Sequence, residues 1–317
     1  YVPVGFIYDP TSGDFHHHKT SEFAKLSRFG LEGRSTTTTV LSLAILGAMA
    51  GFGFKEKDSK ILSFADNRQD CSLQSGHFND FVSTVRLRSA LANALREKKE
   101  IPFSDVEEEV FRRLGLEMEE YALVPEGGEV FRGRRREIQD VFKTLLKYML
   151  LDDLRNAWRV NLPGLEACGL MRIAYKDWEE RIADERWNSV REVCEKAGQS
   201  FEEIVYSILD FFRKSGAVHH AAYFENNAVR KNTEKFKSTL NDDWAPENGD
   251  IRDPSWLMPQ KKRLELPKKT GYAQSAGDRS RLGIHIRRAL GKEKMNAEAY
   301  RDFIGEVFRI MEDAGWL

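Results

Sequence analysis

Hydrophobic and polar positions change character near residue 100. Tyr1 to His18 alternates loosely, with Val2, Val4 and Phe6 set against the turn-forming string D-P-T-S-G-D at Asp9 to Asp14, and this predicts a short hairpin. Phe23, Leu26 and Phe29 then fall at helical spacing and predict a short amphipathic helix that stops at Gly30. The apolar run V-L-S-L-A-I-L-G-A-M-A, Val40 to Ala50, predicts a buried helix capped by Ser35 or Thr36. Ile61, Leu62 and Phe64 predict a buried strand, and Asp66 and Asn67 a tight turn after it. From Arg68 to about Lys99 the pattern is helical again, with Phe78, Phe81, Val85, Leu87 and Leu91 as the apolar face and Gly76 as a kink.

Beyond Ile101 the pattern predicts helices joined by polar turns. Ser104 with Glu107 and Ser200 with Glu203 have the spacing of capping boxes. Arg132, Arg134, Arg135 and Arg136 lead into an apolar helix ending near Leu154, and Trp158 to Tyr175 predicts an irregular or strand-like connector. Asp210 to Val218 and Arg309 to Leu317 echo each other as an apolar helix, a charged last turn and a glycine stop. A winged-helix unit reads in this way, and so does any glycine-capped helix. Between the two echoes, Asn241 to Asp278 is rich in proline and predicts an exposed loop tract.

Composition narrows the function classes. With 317 residues, 41% hydrophobic and 31% charged, the chain can bury one large core or two modest ones. A net charge of -1 excludes a histone-like basic binder, so a nucleic-acid surface has to be a local patch. Cys71, Cys168 and Cys194 form no C-x-x-C pair, which suits a reducing cytoplasm and reads as small buried hydrophobes. No apolar run reaches the length of a membrane span. The first residue, Tyr1, opens an extended segment, and a piece of a longer polypeptide is expected.

Little points to catalysis within the chain. His16, His17 and His18 lack accompanying carboxylates or cysteines, His77 has no partner acid or nucleophile by spacing, and Asp184-Glu185 has no buried strand before it. Asp66, Asp70 and Asp80 read as cap, dipole partner and surface charge. Without a G-x-x-x-x-G-K-[ST] string the chain has no Walker A loop for ATP. Anion binding has better candidates. A strand-to-helix turn at Asp66, Asn67, Arg68 and Gln69 aims free backbone N–H groups outward, where Arg68 can close on a phosphate. Arg34, Ser35 and Thr36 read both as a helix cap and as a guanidinium with hydroxyls facing an anion, and the two readings are compatible. The third candidate is the run Lys261, Lys262, Arg263, Lys268, Lys269, Arg279, Arg281, Arg287 and Arg288, interleaved with Trp256 and Tyr272.

F-A-D-N-R-Q-D-C-S-L-Q-S-G-H-F-N-D-F at Phe64 to Phe81, with G-L-E-G-R-S-T-T-T-T-V-L-S at Gly30 to Ser42, closely resembles large bacterial DEAD/DEAH-box helicases of superfamily 2. W-R-V-N-L-P-G-L-E-A-C-G-L, Trp158 to Leu170, resembles a segment of the insertion those helicases carry. The resemblance implies that the turn at Asp66 is motif IV, which opens the second RecA-like lobe and touches the nucleic-acid backbone. It implies an α/β RecA-like lobe fragment over residues 1–100, followed over 101–317 by a mainly α-helical insertion with winged-helix-like features in 200–317. The function expected is that of a fragment of an ATP-dependent nucleic-acid helicase or translocase, from a setting such as bacterial anti-phage defence or DNA repair. Asp66, Asn67, Arg68 and Gln69 would contact backbone, Arg34, Ser35 and Thr36 would support them, and Lys268, Lys269, Arg279 and Arg281 would guide the strand. No cofactor is expected within this chain; ATP and Mg belong to the parent helicase. The expected partners are nucleic acid, DNA before RNA, and the rest of the helicase with its first RecA-like lobe, in the cytoplasm and away from membranes. Two rivals remain at this stage, a stand-alone protein-interaction module and a winged-helix DNA-binding regulator.

Overall fold

The computed structural model describes residues 6–8, 15–17, 32–62, 68–124, 132–155, 164–217, 221–224, 227–247, 250–252, 255–258, 272–290 and 295–315. The chain forms two compact units, Tyr1–Gly127 with Ala157–Arg172, and Gly128–Asn156 with Ile173–Leu317.

In the first unit β1, Phe6–Tyr8, pairs antiparallel with β2, Phe15–His17, so that Phe6 lies opposite His17. Among the described residues the α-helices that follow are α1, Glu32–Gly51, α2, Arg68–Lys98, and α3, Val106–Leu114. The middle helix α2 packs against both of the others. It buries Phe81, Leu87, Ala90, Leu91 and Ala94, which recur every three or four residues, while Val85 of the expected face is 40% exposed. Lys98 donates to Glu109 Oε1 at 2.7 Å and Arg112 to Glu109 Oε2 at 2.6 Å, so one largely buried carboxylate ties the end of α2 to α3. Those contacts, the Lys98 hydrogen bond first, hold the Glu109 carboxyl below its usual range against the opposing effect of burial.

Among its described residues the second unit is helical with one strand pair. Its elements are α4, Arg132–Arg155, α5, Trp178–Ile182, α6, Asn188–Lys196, α7, Phe201–Ser215, α8, Ala221–Phe224, and α9, Ala228–Thr239. Then come β3, Ser255–Met258, β4, Tyr272–Ser275, α10, Arg281–Ala289, and α11, Ala297–Asp313. One core gathers α6, α7, α10 and α11 around Trp187, Ile208, Leu282, Ile286, Tyr300 and Val307. A second packing centre lies between α4 and α9, where the Tyr148 ring meets Tyr223, Phe224 and Phe236 edge-on and Phe142 meets Trp244.

The junction of α4 with α7 is made by arginines at two helix ends. Arg213 Nη1 donates to the Leu154 carbonyl at 2.7 Å, at the end of α4, while the Arg155 guanidinium covers Gly216 where a Cβ would collide with it. Arg213 thus brings a cation from α7 to the carbonyl end of α4, where the macrodipole favours positive charge. Arg213 is nearly buried and needs a counter-ion; Asp210 supplies it, with Oδ1 2.9 Å from Arg213 Nη2. Asp210 also accepts from the Tyr175 hydroxyl at 3.0 Å, which keeps the connector before α5 against α7.

Several expectations are corrected. The α/β RecA-like lobe is absent: helices make up most of the described residues, and the strands there are two isolated pairs of three or four residues each. A RecA-like lobe requires a several-stranded parallel sheet covered by helices. The buried strand expected at Ile61 to Phe64 fails at Leu62, which is 85% exposed and outside any strand; Phe64 lies outside the described residues. Three apolar residues cannot specify a strand without a neighbouring edge to pair with. Among the described residues of 200–317 no winged-helix-like module is seen either. A wing is an antiparallel hairpin, whereas β3 and β4 run parallel, Ser255 opposite Tyr272 and Met258 opposite Ser275. The echo that prompted it is two glycine helix stops, Gly216 and Gly315, with φ of 75° and 67°.

Smaller corrections concern caps and burial. Helix α1 starts at Glu32, so Ser35 and Thr36 lie inside it and do not cap it, and Val40, Leu41 and Ile45 of the expected buried face are about half exposed. Ser200 caps α7 by accepting from the Glu203 amide at 3.3 Å, but α3 starts after Asp105 and Ser104 is no cap. Helix α2 runs unbroken through Gly76. Cys194 is fully buried, as expected, and Cys168 is exposed. The short helix expected over Thr20 to Phe29 lies outside the described residues.

Two variants test this packing. Gly283 sits on the chain at Gly277 and Asp278, and a Cβ there would lie 2.6 Å from the Asp278 carbonyl oxygen. Gly283→Ala should therefore cost about 1–3 kcal/mol in urea unfolding. Arg213→Met leaves the Asp210 carboxylate without its buried guanidinium and should cost about 3 kcal/mol, part of it recovered when Asp210→Asn is added.

Candidate nucleic-acid interface

The sequence-derived candidates fall into three groups. Asp66, Asn67, Lys268 and Lys269 lie outside the described residues. Arg34, Ser35 and Thr36 stand in the first turns of α1, and Arg68 and Gln69 open α2, all in the first unit. Arg279 and Arg281 belong to the second unit, at the start of α10. They are therefore not gathered in one unit.

The region around Arg281 can be built from the string R-L-G-I-H-I-R-R-A. Leu282, Gly283 and Ile286 turn inward and are buried, which sends Arg281, Ile284 and Arg288 outward along the opposite face at helical spacing. Ser280 caps the helix, its Oγ accepting from the Gly283 amide at 3.0 Å, and the close approach of Gly283 to the preceding turn seats α10 on main-chain atoms. Arg279 projects with its side chain 95% exposed, its Nε 3.9 Å from Asp278 Oδ2, a contact that water and salt weaken. Arg287 bends back, Nε donating to the Gly283 carbonyl at 3.3 Å, and takes no part in the outer face.

Helix α7 extends this face. The His285 ring stacks on Phe211 with centroids 5.6 Å apart, and its Nε2 lies 3.2 Å from Ser207 Oγ. Lys214, one turn on from Phe211, is half exposed and held by Asp210 Oδ2 at 3.1 Å. Burial, then the charges of Lys214 and Arg288, push the His285 pKa below its usual value, while Asp210 pulls the other way. Burial also works against ionised Asp210, but the hydrogen bonds and charges of Arg213 and Lys214 outweigh it and hold that carboxyl below its ordinary range. Lys214 and Arg288 thus set positive charge beside the His285 ring, with Arg281 exposed one turn earlier on α10, and together they form a cationic ridge; Asp210 already serves Arg213 and Lys214. Among the described residues no carboxylate comes within ion-pair distance of Arg281 or Arg288.

Ser207 and His285 do not form an activated nucleophile–base pair. The Ser207 hydroxyl gives its proton to the Ile204 carbonyl at 2.8 Å, so Oγ can only accept from His285 and is not activated by it. Among the described residues there is no cluster of three or more His, Cys, Asp or Glu side chains able to hold a metal. No helix among them is long and apolar enough to cross a membrane. Sequence reading reached Arg279 and Arg281 through charge density but missed Lys214 and His285. The spacing of Arg281, His285 and Arg288 was a usable signal for one helix face; the presence of Lys214 there depends on α7 packing against α10.

The lowered His285 pKa fixes a pH dependence of stability. The unfolded chain takes up this proton near pH 6.5, whereas the folded chain takes it up only at lower pH. Across that interval the unfolded state binds more protons, so stability falls as pH drops below about 6.5 and is insensitive to this group above it. In urea unfolding between pH 5 and 8, the wild type should lose more stability on acidification than His285→Gln, and parallel curves would refute the assignment. Compared with known proteins, the chain matches no family model, no curated protein and no solved structure.

Proposed function

We propose that this chain is a piece of an ATP-dependent nucleic-acid helicase or translocase, and that its part is to hold the sugar-phosphate backbone. The single observation that carries the reading is the ridge in which Lys214 of α7 and Arg288 of α10 flank His285, with Arg281 exposed one turn earlier on α10. On a chain with a net charge of -1 this is a local concentration of positive charge, the kind of patch that releases counterions when it meets a polyanion. The helicase-like strings at Gly30 to Ser42 and Phe64 to Phe81 support the same reading. ATP and Mg would be handled by the rest of the helicase, the nucleic acid would be DNA before RNA, and the setting the cytoplasm, in anti-phage defence or repair. Arg34, Ser35, Thr36, Asp66, Asn67, Arg68, Gln69, Lys268, Lys269 and Arg279 are proposed as further backbone contacts.

A second reading, a protein-interaction module, is favoured by the first unit, where Leu41, Ala44, Ile45 and Ala48 on one side of α1 are exposed, with Phe52 83% and Phe54 54% exposed beyond it.

Anisotropy of labelled single-stranded and duplex DNA over a salt series separates the two. The backbone reading requires sequence-independent binding that weakens steeply with salt, and Arg281→Ala/Arg288→Ala should shallow the log-log slope by about 2. Binding that ignores salt, or no binding by the folded chain at low salt, would remove it and leave the protein-interaction reading.

A further inference from the structure

Resting on the backbone-holding reading, the geometry points to a proton-linked grip: we propose that nucleic-acid binding on the α10 ridge takes up a proton at His285 Nδ1, so that the hold tightens as pH falls. The argument starts from Ser207. Its hydroxyl hydrogen is committed to the Ile204 carbonyl, so the 3.2 Å contact to His285 runs from ring to hydroxyl, and the neutral ring carries its proton on Nε2. Nδ1 is then the protonation site, and adding a proton there breaks no contact made by Nε2.

Burial is the first obstacle to that proton, and the charges around the ring add to it. From α7 it is faced by Lys214 and by Asp210, and from its own helix by Arg288. Asp210, which is shared by Arg213, Lys214 and the Tyr175 hydroxyl, favours the proton but is outweighed. In the free chain a third cation beside Lys214 and Arg288 is unfavourable. A phosphate seated against Lys214 and Arg288 cancels that repulsion and adds an attraction of its own, and the imidazolium becomes the favoured form. Phe211, stacked on the ring, keeps it in register and offers a π face that tolerates a cation. By linkage, a ligand that favours protonation is itself bound more tightly where protons are abundant, at up to about tenfold per pH unit for one coupled proton.

The test uses the full chain and a labelled single strand at fixed ionic strength between pH 5.5 and 8. Affinity should rise several-fold as pH falls from 7.5 to 6, and titration calorimetry in two buffers of different ionisation enthalpy should count up to about one proton taken up near pH 6.5. The His285 ring resonance should titrate at higher pH in the complex than in the free chain. His285→Gln should remove both the proton uptake and this pH dependence. Binding that is weakened by Arg281→Ala/Arg288→Ala but brings no proton uptake would overturn the linkage and leave the ridge standing. Uptake that persists in His285→Gln would overturn it as well, since another group would carry the proton. No binding at any pH would remove the ridge and the linkage together.

Discussion

A buried guanidinium has to be answered by charge and by hydrogen bonds, and much of the second unit is arranged around answering that of Arg213. Asp210 supplies the negative charge and the Leu154 carbonyl accepts from Nη1, so one side chain joins the helix that lines the core to the end of α4. Arg155 lies over Gly216, so the two helix ends meet at these arginines. The same carboxylate draws in the Tyr175 hydroxyl and fixes Lys214 at the surface. The ridge therefore inherits its first cation from a need that arises in the interior.

The neighbouring helix contributes by shape more than by charge. With Gly283 against the main chain at Gly277 and Asp278, α10 lies lower than any residue with a Cβ would allow. At that depth His285 reaches Ser207 and Phe211. Core packing, capping by Ser280 and the outward placement of Arg281 and Arg288 then follow from a single nine-residue string.

Helices were largely legible in the sequence and the fold class was not. The period of Phe81, Leu87 and Leu91 gave α2, and Ser200 gave the start of α7, because local spacing and local hydrogen bonds decide such features. The strand at Ile61 was misread because a short apolar run has no local signature; a strand exists only if a distant edge pairs with it, and Leu62 faces solvent. The parallel pairing of β3 with β4 was hidden within a proline-rich tract for the same reason, being a contact between segments far apart in sequence. At the candidate site Arg279 and Arg281 stood out by charge density, whereas Lys214 and His285 sit about 70 residues apart and are brought together by tertiary packing, which no spacing rule reports.

The depth of α10 has a bearing on how the protein can change. Its position is set by backbone against backbone at Gly283 and by the inward Leu282 and Ile286, none of which shows on the surface. Arg281, Ile284 and Arg288 are thereby released from any structural duty. Their charge, size and number can drift, or be rewritten by design, while the scaffold beneath keeps its shape, so the strength of this face is a freely adjustable trait carried on a fixed mount.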